Sequence, residues 1–291
     1  MRSYGAIICR VNANKGVIAD MGDTGAAERR DARDPADYSF KFDNAGRNDQ
    51  VANSVSANGW ASFERPLPEF LSAAVRRWPG LVIDIGCNTG FYTLLAASAD
   101  VRNNVLAFEP VGEIRAIARR NAGLNGVSRR VSIRQEAISD RNGAARLYIP
   151  HDDHGLVETS ASLDPHFKSS HLRHDTVTVK RLDHALLLSK YRWKQVSVIK
   201  IDVEGHEAAT LKGAPWIIKL YRPVIFQEVL QGADFPWLNG FLKMNRYVPY
   251  RLKPERQAIR TVEIGFDPQA WNQALVPEEK AQTFEKLVAF I

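Results

Sequence analysis

Cysteine is scarce in this chain, and long apolar runs are missing from it. Only Cys9 and Cys87 occur among its 291 residues, so no disulfide framework is expected and a reducing compartment fits the composition. No stretch approaches the roughly 20 consecutive apolar residues that a membrane-spanning helix needs. Residues 1–10 are too short and too interrupted by polar side chains for a secretory signal. We therefore expect a cytoplasmic protein without a membrane span.

Runs of basic residues are also missing, although the chain is basic overall. The net charge is +6 and the isoelectric point is near 9.3, but lysines and arginines are interspersed with acids along the sequence. Such scattered charge usually marks solvated helix ends and loops, so it is weak evidence for a polyanionic partner. Nucleic acid is therefore not the expected partner.

The composition predicts one catalytic domain with an extension. Hydrophobic residues make up 45% of the chain and charged residues 25%, which are ordinary values for a globular protein. Residues 16–56 contain few large apolar side chains and no sustained period, so residues 1–57 are predicted to be a flexible extension. Residues 58–291 would form the domain, with order beginning near Trp60 and an insertion at about 145–180.

The clearest local signal is a short apolar run that ends in a glycine turn. Residues 81–90 have the sequence Leu-Val-Ile-Asp-Ile-Gly-Cys-Asn-Thr-Gly, and a helix-compatible segment follows at 91–97. This pattern is typical of the first βα unit of a parallel sheet, where ligands bind beyond the carboxyl ends of the strands. The middle glycine of the dinucleotide fingerprint is missing, which disfavours a NAD-linked oxidoreductase and favours a nucleoside ligand without a pyrophosphate.

An acidic residue ends the next predicted strand, at residues 104–108. Glu109 follows the glycine turn by about 20 residues, where a carboxylate can accept both hydroxyls of a ribose. The Asp-x-Gly-x-x-x-Gly sequence that begins at Asp84, together with this glutamate, resembles the S-adenosylmethionine (SAM) site of Rossmann-like methyltransferases. The resemblance implies SAM as the cofactor.

Further periodicities extend the βα alternation. Predicted strands lie at 130–138, 196–203 and 224–229, with an antiparallel pair at 246–252 and 258–264 and two added strands at 145–149 and 176–179. Predicted helices lie at 66–78, 111–124, 182–188, 208–220 and 278–290. With the resemblance, they predict an α/β fold: a Rossmann-like class I methyltransferase with a mostly parallel seven-stranded sheet and helices on both faces.

Ionisable residues are concentrated where the fourth core strand is predicted to end. Residues 199–207 have the sequence Ile-Lys-Ile-Asp-Val-Glu-Gly-His-Glu. The period of two along a strand places Lys200, Asp202 and Glu204 on one side, which we expect to face the ligand. A lysine in a strand that is covered on both faces must be paired, and we expect Glu228, at the end of the neighbouring strand, to be its partner.

Three motifs together resemble the FkbM-type SAM-dependent methyltransferases. They are Val-Ile-Asp-Ile-Gly-Cys-Asn-Thr-Gly at 82–90, Ala-Phe-Glu-Pro at 107–110 and the segment at 199–207, within a similarity that covers residues 60–229. The resemblance implies an O-methyltransferase that acts on a hydroxyl of a carbohydrate, a glycolipid or a secondary metabolite. The expected partner is therefore a small-molecule or glycan acceptor.

Candidate donor-binding residues follow the first strands. The backbone amides of residues 88–90, at a helix start, can hold the cofactor carboxylate, and Asp84 can reach its ammonium group through water. Glu109 would take the ribose, the pair 136–137 would border the adenine, and Asp202 would lie where the methionine part meets the acceptor. The predicted donor-binding set is Asp84, Gly86, Asn88, Thr89, Gly90, Glu109, Pro110, Glu136, Ala137 and Asp202.

The second motif also supplies candidate catalytic residues. An alcohol is a poor nucleophile at neutral pH, so its methylation gains from a general base within hydrogen-bond distance. His206 titrates in the useful range, and Glu204 shares the strand parity of Asp202. The predicted catalytic residues are His206, Glu204 and Asp202, and either His206 or Glu204 is expected to be the base.

Five histidines of the predicted insertion raise the alternative of a metal site. They are His151, His154, His166, His171 and His174. The His-x-x-His spacing suggests a metal, but no helix or cysteine pair fixes its geometry. We therefore predict a polar substrate loop and no metal ion.

Two other functions compete with the main prediction. A nucleic-acid methyltransferase would suit the basic charge, but the fourth strand lacks an Asn/Asp-Pro-Pro-aromatic sequence and no aromatic basic stripe is present. A SAM-binding scaffold without turnover would act through its charged amino-terminal extension. The ionisable residues at 199–207 disfavour that scaffold role.

Overall fold

The computed structural model describes residues 7–10, 38–43, 49–150, 160–164 and 173–287. Its strands are β1 (Ile7–Arg10), β2 (Ser39–Phe42), β3 (Leu81–Ile85), β4 (Asn104–Phe108), β5 (Val131–Arg134), β6 (Ala137–Ile138), β7 (Gly143–Ile149), β8 (Arg173–Lys180), β9 (Val196–Ile201), β10 (Val224–Glu228), β11 (Tyr247–Lys253), β12 (Gln257–Arg260) and β13 (Asn272–Pro277). Its helices are α1 (Gln50–Asn58), α2 (Leu67–Arg77), α3 (Phe91–Ala99), α4 (Gly112–Leu124), α5 (Leu182–Leu187), α6 (Glu207–Lys212), α7 (Pro215–Tyr221), α8 (Phe235–Asn245) and α9 (Glu278–Leu287).

The central sheet has eight strands in the order β12-β11-β13-β10-β9-β3-β4-β5. The five strands from β10 to β5 are parallel, whereas β13 is antiparallel to both of its neighbours and β12 is antiparallel to β11. The α/β class and the mostly parallel sheet are therefore confirmed. The additional strand is β13. The sequence analysis missed it because it begins with two polar residues, Asn272 and Gln273, which are nevertheless buried in the structure.

Both faces of the sheet are covered, because alternate residues of its strands enter two separate cores. Val82, Val198 and Phe226 belong to one core, with apolar residues of α1, α2, α3, α4 and α9. Ile83, Ile199 and Ile225 belong to the other, with residues of α5, α6, α7 and α8. Continuous apolar strands are the expected result of such double cover. Because both faces are covered, polar groups of the strands can reach a ligand only at the edges of the sheet, and for parallel strands the ligand edge is the carboxyl edge.

Part of the predicted extension is packed into the protein. Phe40 and Phe42 of β2 are buried in the first core. Asp49 immediately precedes α1, and its Oδ1 accepts hydrogen bonds from the amides of Val51 and Ala52. An aspartate at this position satisfies amides that have no partner within the helix. The predicted onset of order near Trp60 is therefore too late. The division of the chain at residue 57 stays a prediction.

Two predicted elements are each split, and the splits matter for the site. The predicted strand 130–138 becomes β5 in the main sheet and β6 in a separate sheet with β8 and β7. The predicted helix 208–220 becomes α6 and α7, separated at Gly213, where a Cβ would lie 2.1 Å from the carbonyl oxygen of Ser139. The segment after β6 therefore lies directly against the break between α6 and α7.

The hairpin β7–β8 covers one end of the carboxyl edge. Leu147 and Ile149 of β7 pack against Val111 and Ile114 at the start of α4, with Leu163 beside them. Of the five histidines that raised the alternative of a metal site, those at 151, 154, 166 and 171 lie outside the described residues, and His174 lies on β8. In the part of the chain that is described, no group of acids, histidines or cysteines could hold a metal. No described helix is long and apolar enough to cross a membrane.

Candidate active site

The glycine turn brings two strands into direct contact at the carboxyl edge. Gly86 has a φ of 75°, and a Cβ on it would lie 1.7 Å from the carbonyl oxygen of Asp202. The Asp202 amide donates to the carbonyl oxygen of Ile85 at 3.0 Å, which fixes the end of β9 beside the end of β3. A glycine is required here because any side chain would overlap the neighbouring strand.

The amides after the turn are used within the chain. The Asn88 amide donates to Glu109 Oε2 at 3.1 Å, the Thr89 amide donates to Asn88 Oδ1 at 2.6 Å, and the Gly90 amide donates to the carbonyl oxygen of Cys87 at 2.9 Å. The predicted nest of three amides for a cofactor carboxylate is therefore not supported, because each donor already has an acceptor.

Glu109 holds the turn in place from the neighbouring strand. Besides the Asn88 amide, it accepts the Val111 amide on Oε1 at 2.9 Å. Burial raises the pKa of Glu109 to about 7, although these two amide hydrogen bonds act in the opposite direction. Its carboxyl group therefore titrates close to neutral pH, beside Pro110 on the wall of the cavity described below.

Glu136, between β5 and β6, has the opposite electrostatic surroundings. Burial alone would raise its pKa, but hydrogen bonds from Arg134 and Lys180 outweigh burial and lower the pKa to about 2. Lys180 Nζ lies 2.9 Å from Glu136 Oε1, and Arg134 forms an ion pair with the same carboxylate. Glu136 is therefore a fixed anion, with Ala137 next to it at the cavity.

A buried lysine lies among carboxylates on the face of the sheet that carries α3. Lys200 Nζ lies 2.8 Å from Asp202 Oδ2 and 4.7 Å from the centre of the Tyr92 ring. Burial lowers the pKa of Lys200, but Asp202, Asp84 and Glu64 outweigh it and raise the pKa overall. The expected pairing of Lys200 with Glu228 is wrong: the ion pair is with Asp202, two residues along the same chain segment.

The turn that follows β9 is held by a buried acid. Glu204 and Gly205 have φ values of 54° and 93°, so Glu204 lies on a turn and the expected strand parity ends before it. Glu207 Oε1 accepts the amides of Gly205 at 3.1 Å and Val203 at 3.4 Å. Burial raises the pKa of Glu207 to about 7. Ser162 Oγ donates to the carbonyl oxygen of Glu204 at 2.8 Å, which ties the loop after β7 to this turn.

His206 lies next in the turn, immediately before α6. Its Nε2 is 2.8 Å from Ser139 Oγ, and Ser139 Oγ donates to Asp140 Oδ1 at 3.1 Å. Because the serine proton is directed to Asp140, Ser139 Oγ accepts from the Nε2 proton of His206, which leaves Nδ1 as a proton acceptor. Burial lowers the pKa of His206, so the imidazole is neutral at pH 7.

These groups meet in a cavity of about 260 Å³ at the carboxyl edge. Nine predicted site residues line it: Gly86, Asn88, Glu109, Pro110, Glu136, Ala137, Asp202, Glu204 and His206. Three others, Asp84, Thr89 and Gly90, are buried behind the wall, and Asp84 accepts a hydrogen bond from Thr93 at 2.6 Å. The predicted residues are therefore mostly brought together, but Asp84 is placed to orient the wall rather than to contact a ligand.

Two cavity acids were missed by the sequence analysis as site residues. Glu228 ends β10, and burial together with the negative charges of Asp202, Glu204, Glu207 and Glu64 raises its pKa to about 9. The rule that ligands bind at the carboxyl ends of parallel strands could have identified it. Glu64, which accepts the Tyr92 hydroxyl at 2.7 Å, precedes α2 outside every recognisable motif.

Comparison with known proteins also indicates a methyltransferase. The sequence profile of the Methyltransferase FkbM domain matches residues 84–267, and no curated protein matches the chain at a significant level. A solved FkbM methyltransferase from Methylobacillus flagellatus KT is 14% identical with a TM-score of 0.46, over 70% of this chain and 47% of that one. This chain thus spans about half the length of that protein.

Two solved O-methyltransferases are similar over more of their own length. TomG from Streptomyces achromogenes, solved with SAM, is 13% identical with a TM-score of 0.45, over 82% of this chain and 92% of that one. An enzyme from Bacillus cereus, solved with SAH, is 17% identical with a TM-score of 0.40, over 73% and 81% of the two chains. The family assignment depends on the profile match, which covers more than half of the sequence. As the three sequence motifs predicted, the chain belongs to the FkbM methyltransferase family.

Proposed function

We propose that this protein is a SAM-dependent O-methyltransferase that methylates a hydroxyl group of a carbohydrate, glycolipid or secondary-metabolite acceptor. The observation that carries the proposal is that residues of all three motifs line one cavity at the carboxyl edge of the sheet. Family membership supplies the reaction class, and the chemistry of the cavity wall supports the donor and the kind of acceptor.

The charge of the wall suits a cationic ligand. Six carboxyl groups line the cavity, and none of the described lining residues is a lysine or an arginine; the six are Glu64, Glu109, Glu136, Asp202, Glu204 and Glu228. SAM carries a positive sulfonium and an ammonium group, which the ionised carboxyl groups of the wall attract; Glu228, with a pKa of about 9, is protonated at pH 7. A phosphodiester would be repelled by the same wall, which disfavours the nucleic-acid alternative.

The remaining lining suits the adenosine part of the donor. Ile138, Leu147 and Leu163 provide apolar surface beside Glu109 and Glu136. Apolar walls with a few directed polar groups are typical of cofactor sites. Glu109 would accept the ribose hydroxyls, the segment 136–138 would flank the adenine, and Asp202 would face the methionine part. When bound, SAM supplies a methyl group activated by its positive sulfur.

The chain's own contribution to the reaction is alignment and removal of a proton. We infer that His206 is the general base, because its neutral imidazole has Nδ1 available while Nε2 donates to Ser139. The acceptor hydroxyl would lose its proton to Nδ1 as its oxygen forms the bond to the methyl carbon, while the bond between that carbon and the donor sulfur would break, leaving its electron pair on the sulfur of the departing thioether. Glu204 and Asp202, on the same wall, would help to orient the acceptor.

The donor assignment is tested by calorimetry with SAM. At about pH 8, where Glu109 with its pKa of about 7 is mostly ionised, Glu109→Gln removes a charge at the ribose position, and we expect SAM binding to weaken at least about tenfold, as for a lost charged hydrogen bond. Glu113→Gln, whose side chain is 77% exposed on α4, is the matched control and should bind as the parent does. No heat of binding for the parent chain, or equal affinity of Glu109→Gln, would overturn SAM binding in this cavity.

The reaction is tested by transfer of labelled methyl from SAM to glycans and small metabolites. With an acceptor found, His206→Gln should lower kcat by about 10²-fold or more while the affinity for SAM stays within a factor of two. Glu204→Gln should mainly raise KM for the acceptor. If Glu204→Gln lowers kcat more than His206→Gln does, the roles of the two residues are exchanged. Labelling of RNA in preference to all other acceptors would contradict the proposed function.

A further inference from the structure

A second surface of the protein combines exposed apolar side chains with basic residues. The turn between α5 and β9 lies at the amino edge of the sheet, opposite the cavity, against the segment that precedes β5. Tyr191, which is buried, donates its hydroxyl proton to the carbonyl oxygen of Arg130 at 2.8 Å, and Lys190 Nζ donates to that of Arg129 at 3.3 Å. The two segments therefore form one surface. We call it the basic turn surface, and it consists of Arg129, Leu187, Leu188, Lys190, Arg192, Trp193 and Lys194.

The charge of this surface has one sign. The sequence contains no acidic residue between Asp183 and Asp202, and none between Glu113 and Glu136. Among the described residues, no carboxylate forms an ion pair with its four cations, whereas other arginines at the same edge, such as Arg102 and Arg222, are paired. The fold thus adds Arg129 to three basic residues that the sequence already places within residues 190–194.

Large apolar side chains project from the same surface. Trp193 is 84% exposed, Leu187 is 56% exposed and Leu188 is 55% exposed. The Arg192 guanidinium carbon lies 5.6 Å from the centre of the Trp193 ring. These three apolar residues share one short segment, residues 187–194, with Lys190, Arg192 and Lys194. Exposed apolar residues that are grouped and bordered by cations are a signature of an interaction site, whereas single exposed apolar residues are common.

We propose that the basic turn surface docks the protein on an anionic lipid bilayer. Tryptophan favours the interface between headgroups and acyl chains, leucines insert below it, and lysines and arginines are attracted by anionic headgroups. The two leucines favour a bilayer over a nucleic acid, because they would have no stacking or hydrogen-bonding role on a nucleic acid. The occupant is therefore a lipid surface with negative charge.

The position of this surface sets how a docked molecule is oriented. The parallel strands between the two edges are four to six residues long, which corresponds to about 13 to 20 Å at roughly 3.3 Å per residue. Because the cavity is at the carboxyl edge and the basic turn surface at the amino edge, a molecule docked through that surface would hold its cavity away from the bilayer. Docking would concentrate the protein at the membrane and leave the cavity accessible to acceptors from the aqueous side.

The test is co-sedimentation of the full chain with vesicles of phosphatidylcholine, alone or mixed with phosphatidylglycerol. We expect binding only to the mixed vesicles, and a decrease as salt is added. Trp193→Ala and the pair Lys190→Gln with Lys194→Gln should each weaken this binding on the order of tenfold. Trp271→Ala, which removes a tryptophan that is 47% exposed elsewhere, is the control and should bind as the parent does.

Three results would overturn the proposal. They are no binding of the parent chain to the mixed vesicles, equal binding by the parent and both variants, and binding to single-stranded RNA that the mixed vesicles do not compete away. The variants alter exposed side chains, so their thermal unfolding midpoints should match that of the parent, which distinguishes lost docking from lost folding. Methyl transfer to a soluble acceptor is measured separately, so failure of this proposal leaves the proposed function unaffected.

Discussion

The cavity at the carboxyl edge of the central sheet and the basic turn surface at its amino edge carry charged groups of opposite sign. At the carboxyl edge, six carboxyl groups line a cavity; among them, Asp202 pairs with Lys200, and Glu136 pairs with Arg134 and Lys180. At the amino edge, four cations of the basic turn surface lie in solvent beside exposed leucines and a tryptophan. The fold thus groups carboxyl groups in a cavity at one edge and, at the other edge, groups on one surface exposed cations that have no carboxylate partner in the described part of the chain.

The contrast shows that burial, more than charge itself, determines what these groups can do. Removal from water is the main cause of the raised pKa of Glu64, Glu109 and Glu228. Exposed charges on the amino edge are screened by water and ions, so they attract a large charged surface but do little for folding. The buried acids of the carboxyl edge are therefore suited to binding and proton transfer, whereas the exposed cations of the amino edge are suited to attracting a charged surface.

The largest loss of stability is expected from Gly86→Ala, at the carboxyl edge. The added Cβ would overlap the Asp202 carbonyl oxygen, at 1.7 Å, and would also disfavour the φ of 75°. We expect a loss of more than about 4 kcal/mol in the free energy of unfolding, or failure to fold, as for other severe backbone clashes. Urea unfolding followed by circular dichroism measures this loss.

Gly126→Ala is the matched control for that prediction. Gly126 also has a positive φ, of 67°, but no atom lies within 4 Å of its Cβ position, so only backbone strain of about 1 kcal/mol is expected. Equal losses for the two variants would show that the close approach of β3 and β9 is not what requires a glycine at the site.

The next largest effect is expected from Lys200→Met, which keeps the volume of the side chain but removes its charge. Asp202 would lose its ion pair at 2.8 Å, and Asp84 and Glu64 would lose the neighbouring positive charge. Removing one partner of a buried ion pair costs about 3 to 5 kcal/mol. The loss should be smaller at acid pH, where the carboxylates are protonated. A loss that does not change with pH would contradict the electrostatic explanation.

The sequence predicted the parts of this site that local patterns control. The buried strand before Gly86, the acid at Glu109 and the crowded end of β9 each have a signature within a few residues. Glu64 has none, because its place in the cavity depends on Tyr92 and on how the segment before α2 crosses the edge. The pairing of Lys200 was also mispredicted, because the alternation of a strand says which side a residue faces but not which carboxylate lies nearest.

Longer-range features of the fold were predicted less well for a similar reason. β13 carries two polar residues that only its position between β10 and β11 buries, and the break between α6 and α7 depends on the contact of Gly213 with Ser139. The amide donors of residues 88–90 were expected to be available, but Glu109 reaches back to one of them. These features follow from tertiary contacts, which outweigh local propensity.

The third prediction concerns the pH dependence of stability at the carboxyl edge. The pKa of Glu207 is about 7 in the folded protein, against an ordinary value of 4.5, so between these two values the folded state holds the proton that the unfolded state has lost. This group therefore makes stability fall as pH rises. Glu207→Gln should be more stable than the parent at about pH 8, by up to about 3 kcal/mol, and equal to it below about pH 4.

An acid of the amino edge gives the contrast for that measurement. Arg222, at 2.9 Å, lowers the pKa of Glu279 to about 2, so the stability that Glu279 adds is lost as pH falls toward that value. Its side chain is half exposed, so Glu279→Gln should lower stability by less than about 1 kcal/mol at neutral pH. If both variants changed stability in the same direction, the two edges would not differ as described.

The smallest effect on stability is expected at the basic turn surface. Trp193 is 84% exposed, so Trp193→Ala removes little buried area and should change the free energy of unfolding by no more than about 0.5 kcal/mol. Tyr191→Phe, two residues earlier, removes the hydrogen bond to Arg130 that anchors the turn and should cost about 1 kcal/mol. A large loss for Trp193→Ala would mean that the tryptophan is needed for folding. A negligible loss leaves an exposed indole, with the Arg192 guanidinium beside its ring, without a structural role, which is the pattern expected of a binding surface.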